Sequence, residues 1–237
     1  MVVSSKIKIM DWFVLLFFAL TYFVSNSAEN AQLYSITRIF GIAIFGINIF
    51  LNKRINLTLE GMWRIVFILY AASSLMWSRY PRGDCLQNML IDGLICIMLG
   101  SYFDEEKKIN RVIFLLGICG VISSIQLLAS FNIFALTSRM ELAGENINTI
   151  GLKLIVSSAS FLYLSLKKGN LYLIGFLLCT CIAFFSGSKK VILSIVVLLF
   201  CYYFMRTNNI LGKIKYIILA LICIGIIWKM IMEIPLL

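Results

Sequence analysis

The sequence contains no histidine, only two prolines and few charged residues. Charged side chains make up 14% of its 237 residues, whereas a soluble domain carries roughly a quarter. The absence of histidine excludes a haem-ligating histidine, a Ser-His-Asp triad and most zinc sites. Hydrophobic residues make up 61% of the chain, and the mean hydropathy is +0.97. A chain with so little polar surface must place its apolar faces against lipid.

The seven cysteines also lack the spacing of a metal or redox site, because no two of them form a CxxC pair. Six lie inside apolar stretches, where cysteine usually behaves as a small packing residue. We therefore expect no metal and no cofactor.

Nine apolar stretches, separated by short polar loops, predict nine transmembrane helices. Runs of roughly 15–22 apolar residues fit helices, and a lipid-exposed backbone must satisfy its own hydrogen bonds. The stretches lie at about residues 10–25, 32–51, 59–77, 86–103, 111–131, 149–166, 170–186, 190–205 and 214–232. The predicted fold is an all-α polytopic membrane protein that forms a single integral membrane domain over residues 1–237. Spans seven and eight form a short hairpin, whose tip we expect below the outer membrane surface.

Lysine and arginine predict a cytoplasmic N-terminus, because cytoplasmic loops are enriched in these residues. With that orientation thirteen of them lie inside and five outside. The inside set is Lys6, Lys8, Lys53, Arg54, Arg64, Lys107, Lys108, Arg111, Lys167, Lys168, Arg206, Lys213 and Lys215. The net charge of +10 is therefore a topology signal and a contact with anionic lipid, not a nucleic-acid interface.

Polar residues collect at the outer ends of the spans in three clusters. The first follows span three and contains Arg79 and Arg82. The second precedes span six and contains Arg139, Glu141, Glu145, Asn146 and Asn148. The third is the hairpin tip with Lys189 and Lys190. Each has an ordinary interpretation as well: an interfacial aromatic belt with a turn, a solvated loop capped by Asn148, and a solvated charged face.

Single charges also lie inside the predicted spans, where they are costly against lipid and should face the bundle interior. Arg38 is in span two and Asp92 in span four, and Lys153 lies near the outer end of span six. Arg38 and Asp92 either pair with each other or line a cavity. The surplus of cations near the outer face favours a diphosphate ligand whose lipid tail stays in the bilayer.

Three segments together resemble the O-antigen polymerase and ligase family. Residues 74–81, SLMWSRYP, are similar to its S-x-x-W-S-x-x-P span end. Arg139 followed by residues 144–148, GENIN, is similar to its R…G…N-x-N approach to a later helix. Residues 184–190, FFSGSKK, resemble its tip between two short helices, where the family usually has arginine and this chain has Lys189.

The resemblance implies a metal-independent glycosyltransferase that joins polysaccharide repeat units at the outer face of a bacterial plasma membrane. Its substrate is an oligosaccharide carried on undecaprenyl diphosphate, and a flippase and a chain-length regulator are the expected protein partners. It implies that Arg139, Lys189 and Arg38 hold the diphosphate, and that Glu145 or Glu141 is the general base. It further implies substrate contacts for Asn146 and Asn148, and the cation surplus adds Arg79, Arg82 and Lys190.

Other functions remain open from the sequence. Family members continue beyond the position of Leu237 with a large outer loop and further spans, so the resemblance implies a truncated polymerase, which would be either active or an inactive remnant. A transporter or flippase is the main alternative, although the sequence shows no internal repeat. A non-catalytic membrane scaffold is a further alternative.

Overall fold

The computed structural model describes residues 9–24, 31–53, 55–77, 83–130, 147–185 and 189–233, which form nine α-helices. These are α1 (Ile9–Phe23), α2 (Ala31–Asn52), α3 (Leu59–Ser74), α4 (Gly83–Gly100), α5 (Glu106–Ser130), α6 (Ile147–Lys168), α7 (Tyr172–Phe185), α8 (Lys189–Arg206) and α9 (Ile210–Glu233). Each helix coincides with one predicted apolar stretch, so the all-α prediction is confirmed.

Within the described part of the chain, three helices are long and apolar enough to cross a membrane: Ala31–Asn52, Glu106–Ala129 and Asn148–Lys168. Three further apolar helices are shorter, at Ile9–Phe23, Cys85–Gly100 and Tyr172–Phe185. The structure therefore has the helices of a membrane protein. The number of crossings and the side of the N-terminus stay predictions.

The helix ends follow local chemistry. Thr58 caps α3, since its Oγ1 accepts a hydrogen bond from Gly61 N at 3.2 Å. Gly169 follows α6 with a φ of 120°, a conformation that glycine adopts without strain. Asn148 is the second residue of α6, so the predicted cap at this position is wrong, because Ile147 is already helical.

The chain divides into two compact units, Met1–Val112 and Ile113–Leu237. In the first unit, α2 packs on α1 and α4, and α3 packs on α4. Its core contains the fully buried Phe45, whose ring centre lies 5.4 Å from that of Phe17 in an edge-on contact. Phe17 also covers Gly41, where a side chain would collide with the ring.

The second unit is built around α6, which contacts α7 and α8, while α8 contacts α9. In its most apolar window α6 is 61% buried, compared with 28% for α2. Its buried cluster joins Leu154, Ile182 and Val191 from three helices. The single membrane domain predicted for residues 1–237 stays a prediction.

Candidate functional site

The candidate site in the first unit is the environment of Arg38. Tyr34 and Arg38 share a face of α2, and Asn88 and Asp92 share a face of α4, because each pair is four residues apart. Arg38 Nε donates to Asp92 Oδ1 at 2.8 Å, and Nη2 lies 2.7 Å from Asp92 Oδ2. Nη1 donates to Asn88 Oδ1 at 2.7 Å, and Nη2 donates to the Asn88 carbonyl at 2.9 Å. The guanidinium carbon lies 4.8 Å from the centre of the Tyr34 ring.

These contacts occupy four of the five N–H donors of Arg38 within the described part of the chain. The Arg38 side chain is 12% exposed and that of Asp92 is 50% exposed, so the pair is open to its surroundings on the aspartate side. Of the two alternatives for these charges, the structure shows the pair. Arg38 therefore joins α2 to α4, and a phosphate at this position would have to use the remaining donor or displace Asn88 or Asp92.

A second charged cluster, which the sequence pattern alone did not predict, surrounds Asp11 at the start of α1. Asp11 is 5% exposed, and both of its oxygens accept hydrogen bonds. Oδ1 accepts from Tyr102 Oη at 2.7 Å, and Oδ2 accepts from Arg111 Nη1 at 2.7 Å. The sequence does contain an indication of this cluster. Asp11 is the lone carboxylate of its apolar stretch, as Asp92 is in span four.

The turn between α4 and α5 completes this cluster. Lys108 Nζ donates to Asp104 Oδ1 at 2.6 Å and lies 4.9 Å from the centre of the Tyr102 ring. The hydrogen bond from Lys108 lowers the pKa of Asp104 below its usual value. Burial raises the pKa of Tyr102 well above its usual value, and the hydrogen bond to Asp11 raises it further. The Tyr102 hydroxyl therefore stays a donor to Asp11 over the physiological pH range.

In the second unit, hydroxyl groups form hydrogen bonds between the helices. Ser157 Oγ donates to the Leu116 carbonyl at 2.7 Å, which ties α6 to α5. Thr180 Oγ1 donates to Ser158 Oγ at 3.1 Å, which ties α7 to α6. Ser157 and Ser158 are fully buried. Such small polar residues let helix backbones approach closely in a membrane.

The cysteines are divided between two environments. Cys119 and Cys179 are buried, in agreement with the predicted packing role, whereas Cys85, Cys96, Cys181 and Cys201 are exposed. Within the described ranges, no three Cys, Asp or Glu side chains are grouped so as to hold a metal ion.

Most of the other predicted site residues fall at helix connections. Asn148 and Lys190 are exposed, in the first turns of α6 and α8, and Asn148 has an interaction partner. Lys189 is the first residue of α8, but its side chain lies outside the described part of the structure. Five predicted residues and the alternative base also lie outside the described residues: Arg79, Arg82, Arg139, Glu145, Asn146 and Glu141. Their convergence into one pocket stays a prediction.

No protein-family model matches the chain, and comparison with curated proteins and with solved structures also gives no match. The resemblance to the O-antigen polymerase and ligase family therefore rests on the three sequence segments alone.

Proposed function

We propose that this chain is a multi-pass protein of a bacterial plasma membrane, with nine transmembrane helices and a cytoplasmic N-terminus. We further propose that it acts as a surface-polysaccharide polymerase, which joins repeat units carried on undecaprenyl diphosphate at the outer face of the membrane.

One observation carries the proposal: the three family-like segments occur in family order, and each coincides with a connection between helices. Residues 75–82 lie between α3 and α4, residues 131–146 between α5 and α6, and residues 186–188 between α7 and α8. If every helix crosses the bilayer, the connections that follow odd-numbered helices all emerge on the same side. The cations of the three segments then face the same aqueous compartment.

The proposed reaction is a glycosyl transfer between two lipid-linked saccharides. A hydroxyl oxygen of the acceptor forms a bond to the anomeric carbon of the donor, and the bond from that carbon to the diphosphate oxygen breaks. The diphosphate leaves with the electron pair, and Glu145 or Glu141 accepts the hydroxyl proton. Arg139 and Lys189 stabilise the negative charge that develops on the diphosphate. Asn146, Asn148, Arg79, Arg82 and Lys190 contact the remainder of the substrate.

The test is complementation of a strain whose own copy of the gene has been deleted. The complementing genes encode the unaltered chain, Arg139→Ala, Lys189→Ala or the control Lys215→Ala, which removes an exposed cation of α9 outside the three segments. Gel sizing of the surface polysaccharide should show long polymer with the unaltered chain and with the control. The two site variants should yield only single repeat units while reaching the same protein level in membranes. Long polymer in both site variants would exclude the proposed roles.

A further inference from the structure

A lateral groove between α3 and α4 contains one acidic and one basic side chain, Glu60 and Arg64, which have no role in the reaction proposed above. It has a volume of about 460 Å³ and is lined by Thr58, Glu60, Gly61, Trp63, Arg64, Phe67 and Cys96. Trp63 is 67% exposed and Phe67 is 54% exposed, so the groove opens sideways from the helix pair. An exposed tryptophan near a helix end is typical of the depth of lipid headgroups.

Arg64 extends along this groove toward the helix end. Its Cγ packs over Gly93, where an added Cβ would lie 3.6 Å away, and its Nη2 reaches Cys96 Sγ at 3.8 Å. Cys96 is nearer than Gly93 to the end of α4, where Gly100 lies beside Thr58. The guanidinium is therefore directed from the helix interior toward the aqueous end of α3, as expected for an arginine that extends to the membrane interface.

Glu60 stands one turn closer to that end, in the first turn of α3. Residues four apart on a helix have Cβ atoms about 5–6 Å from each other. Within the described residues, however, neither Glu60 nor Arg64 forms an ion pair. Both charges thus remain available to a ligand in the groove, the carboxylate on the aqueous side and the guanidinium on the bilayer side.

From this arrangement we propose that the α3–α4 groove binds the headgroup of a phosphatidylethanolamine molecule. The phosphate contacts Arg64, and the ammonium donates hydrogen bonds to Glu60. The order of charges supports this lipid, because its phosphate is attached to glycerol at the bilayer side while its ammonium is two carbons further toward water. Guanidinium groups bind phosphate oxygens strongly, and a carboxylate accepts hydrogen bonds from a primary ammonium. The choline headgroup has no N–H to donate, and a glycerol headgroup has no cation.

The inference rests on the bilayer embedding proposed above, but it is independent of polymerase activity. Native mass spectrometry of the full chain, released from detergent after incubation with one lipid at a time, measures lipid occupancy. The probes are phosphatidylethanolamine, phosphatidylcholine and phosphatidylglycerol with identical acyl chains. The unaltered chain should retain phosphatidylethanolamine more strongly than the other two lipids.

Two single variants and two matched controls locate the site. Glu60→Gln and Arg64→Gln should each weaken phosphatidylethanolamine binding roughly fivefold, as expected for the loss of one charge contact near the membrane surface. Glu105→Gln and Lys215→Gln remove exposed charges elsewhere and should leave binding unchanged. The exchange Glu60→Arg with Arg64→Glu keeps the net charge but reverses the order of charges along α3, so it should abolish the preference.

Equal retention of the three lipids by the unaltered chain would overturn the proposal. A preference for phosphatidylglycerol, or a preference that survives the charge exchange, would also overturn it. Competition by soluble phosphoethanolamine at the concentration of the lipid would show that the bilayer lipid is not the ligand. Because the readout is lipid retention, an unaltered chain that makes polymer of normal length but shows no preference for phosphatidylethanolamine would refute this inference alone.

Discussion

Asp11 Oδ2 accepts a hydrogen bond from Arg111 Nη1 at 2.7 Å, which joins the first helix to the start of the fifth across 100 positions of sequence. The carboxylate is 5% exposed, and its second oxygen is held by Tyr102. The structure therefore joins α1 to α5 through an ion pair whose carboxylate is buried and whose arginine side chain is 26% exposed. Removing one member of such a pair removes an attraction that offsets the cost of burying the other charge.

We expect Asp11→Asn to destabilise the first unit by about 1–3 kcal/mol, because the amide still accepts from Tyr102 but no longer neutralises Arg111. Thermal unfolding in detergent measures the change, with the exposed Glu105→Gln as a control. In the double variant with Arg111→Gln, the loss should be smaller than the sum of the two single losses, because either substitution alone already removes the attraction between the two charges. Strictly additive effects of the two substitutions would contradict a direct pair.

The stability of the folded chain should depend on pH through Tyr102. Its folded-state pKa lies above the usual value of 10, because burial and the bond to Asp11 favour the neutral phenol. The associated stability is therefore complete below pH 10 and decreases as the pH rises from 10 toward the folded-state pKa. We expect the difference in melting temperature between the unaltered chain and Tyr102→Phe to shrink between pH 9 and pH 11. Removal of an exposed hydroxyl in Tyr70→Phe serves as the control, and a difference that grows with pH would contradict this assignment.

Variants of the Arg38–Asp92 pair can distinguish a structural role of Arg38 from a phosphate-binding role. We expect Asp92→Asn to destabilise the chain by about 1–2 kcal/mol, because Arg38 loses its counter-charge inside the helix bundle. The exchange Arg38→Asp with Asp92→Arg should recover stability in thermal unfolding, since an ion pair with the two charges exchanged again joins α2 to α4. If Arg38 also binds the diphosphate, the exchanged variant should still produce only short polysaccharide. Long polymer from a stable exchanged variant would restrict Arg38 to its structural role.

Close helix packing in the second unit predicts a steric effect at Gly120. A side chain at this position would collide with Ser157. Gly120→Ala should destabilise the unit by about 1–3 kcal/mol through overpacking. In Gly225→Ala, the added Cβ meets open space on α9, so this control should be neutral or slightly stabilising. Ser157→Gly alone loses the hydrogen bond to the Leu116 carbonyl, so the cost of Gly120→Ala in thermal unfolding is compared with and without Ser157→Gly. The cost should be smaller in the Ser157→Gly background; an equal cost would show that another contact limits the approach of the helices.

Much of the secondary structure could be predicted, and less of the candidate site. The sequence allowed the pairing of Arg38 with Asp92 as one of two alternatives, the other being a cavity lined by both, because opposite charges inside predicted spans tend to form ion pairs. The pairing could not be chosen, since the choice depends on which faces of α2 and α4 meet. Asp11 could have been noticed as an isolated charge, but its partners could not, because Tyr102 and Arg111 are about 90 and 100 positions away. The segments that carry the polymerase proposal lie between helices, where local sequence gives little information about geometry.

The sequence by itself determined the helices of the described residues and their approximate ends, because the length of an apolar run and the residues that interrupt it act locally on the backbone. Only the tertiary structure decided which charges neutralise each other, and that Glu60 and Arg64 remain separate in a groove. The physical reason is that a charge within an apolar helix is satisfied by whichever polar group the packed faces bring within about 3 Å. That contact depends on helix rotation and register, which the apolar pattern leaves free.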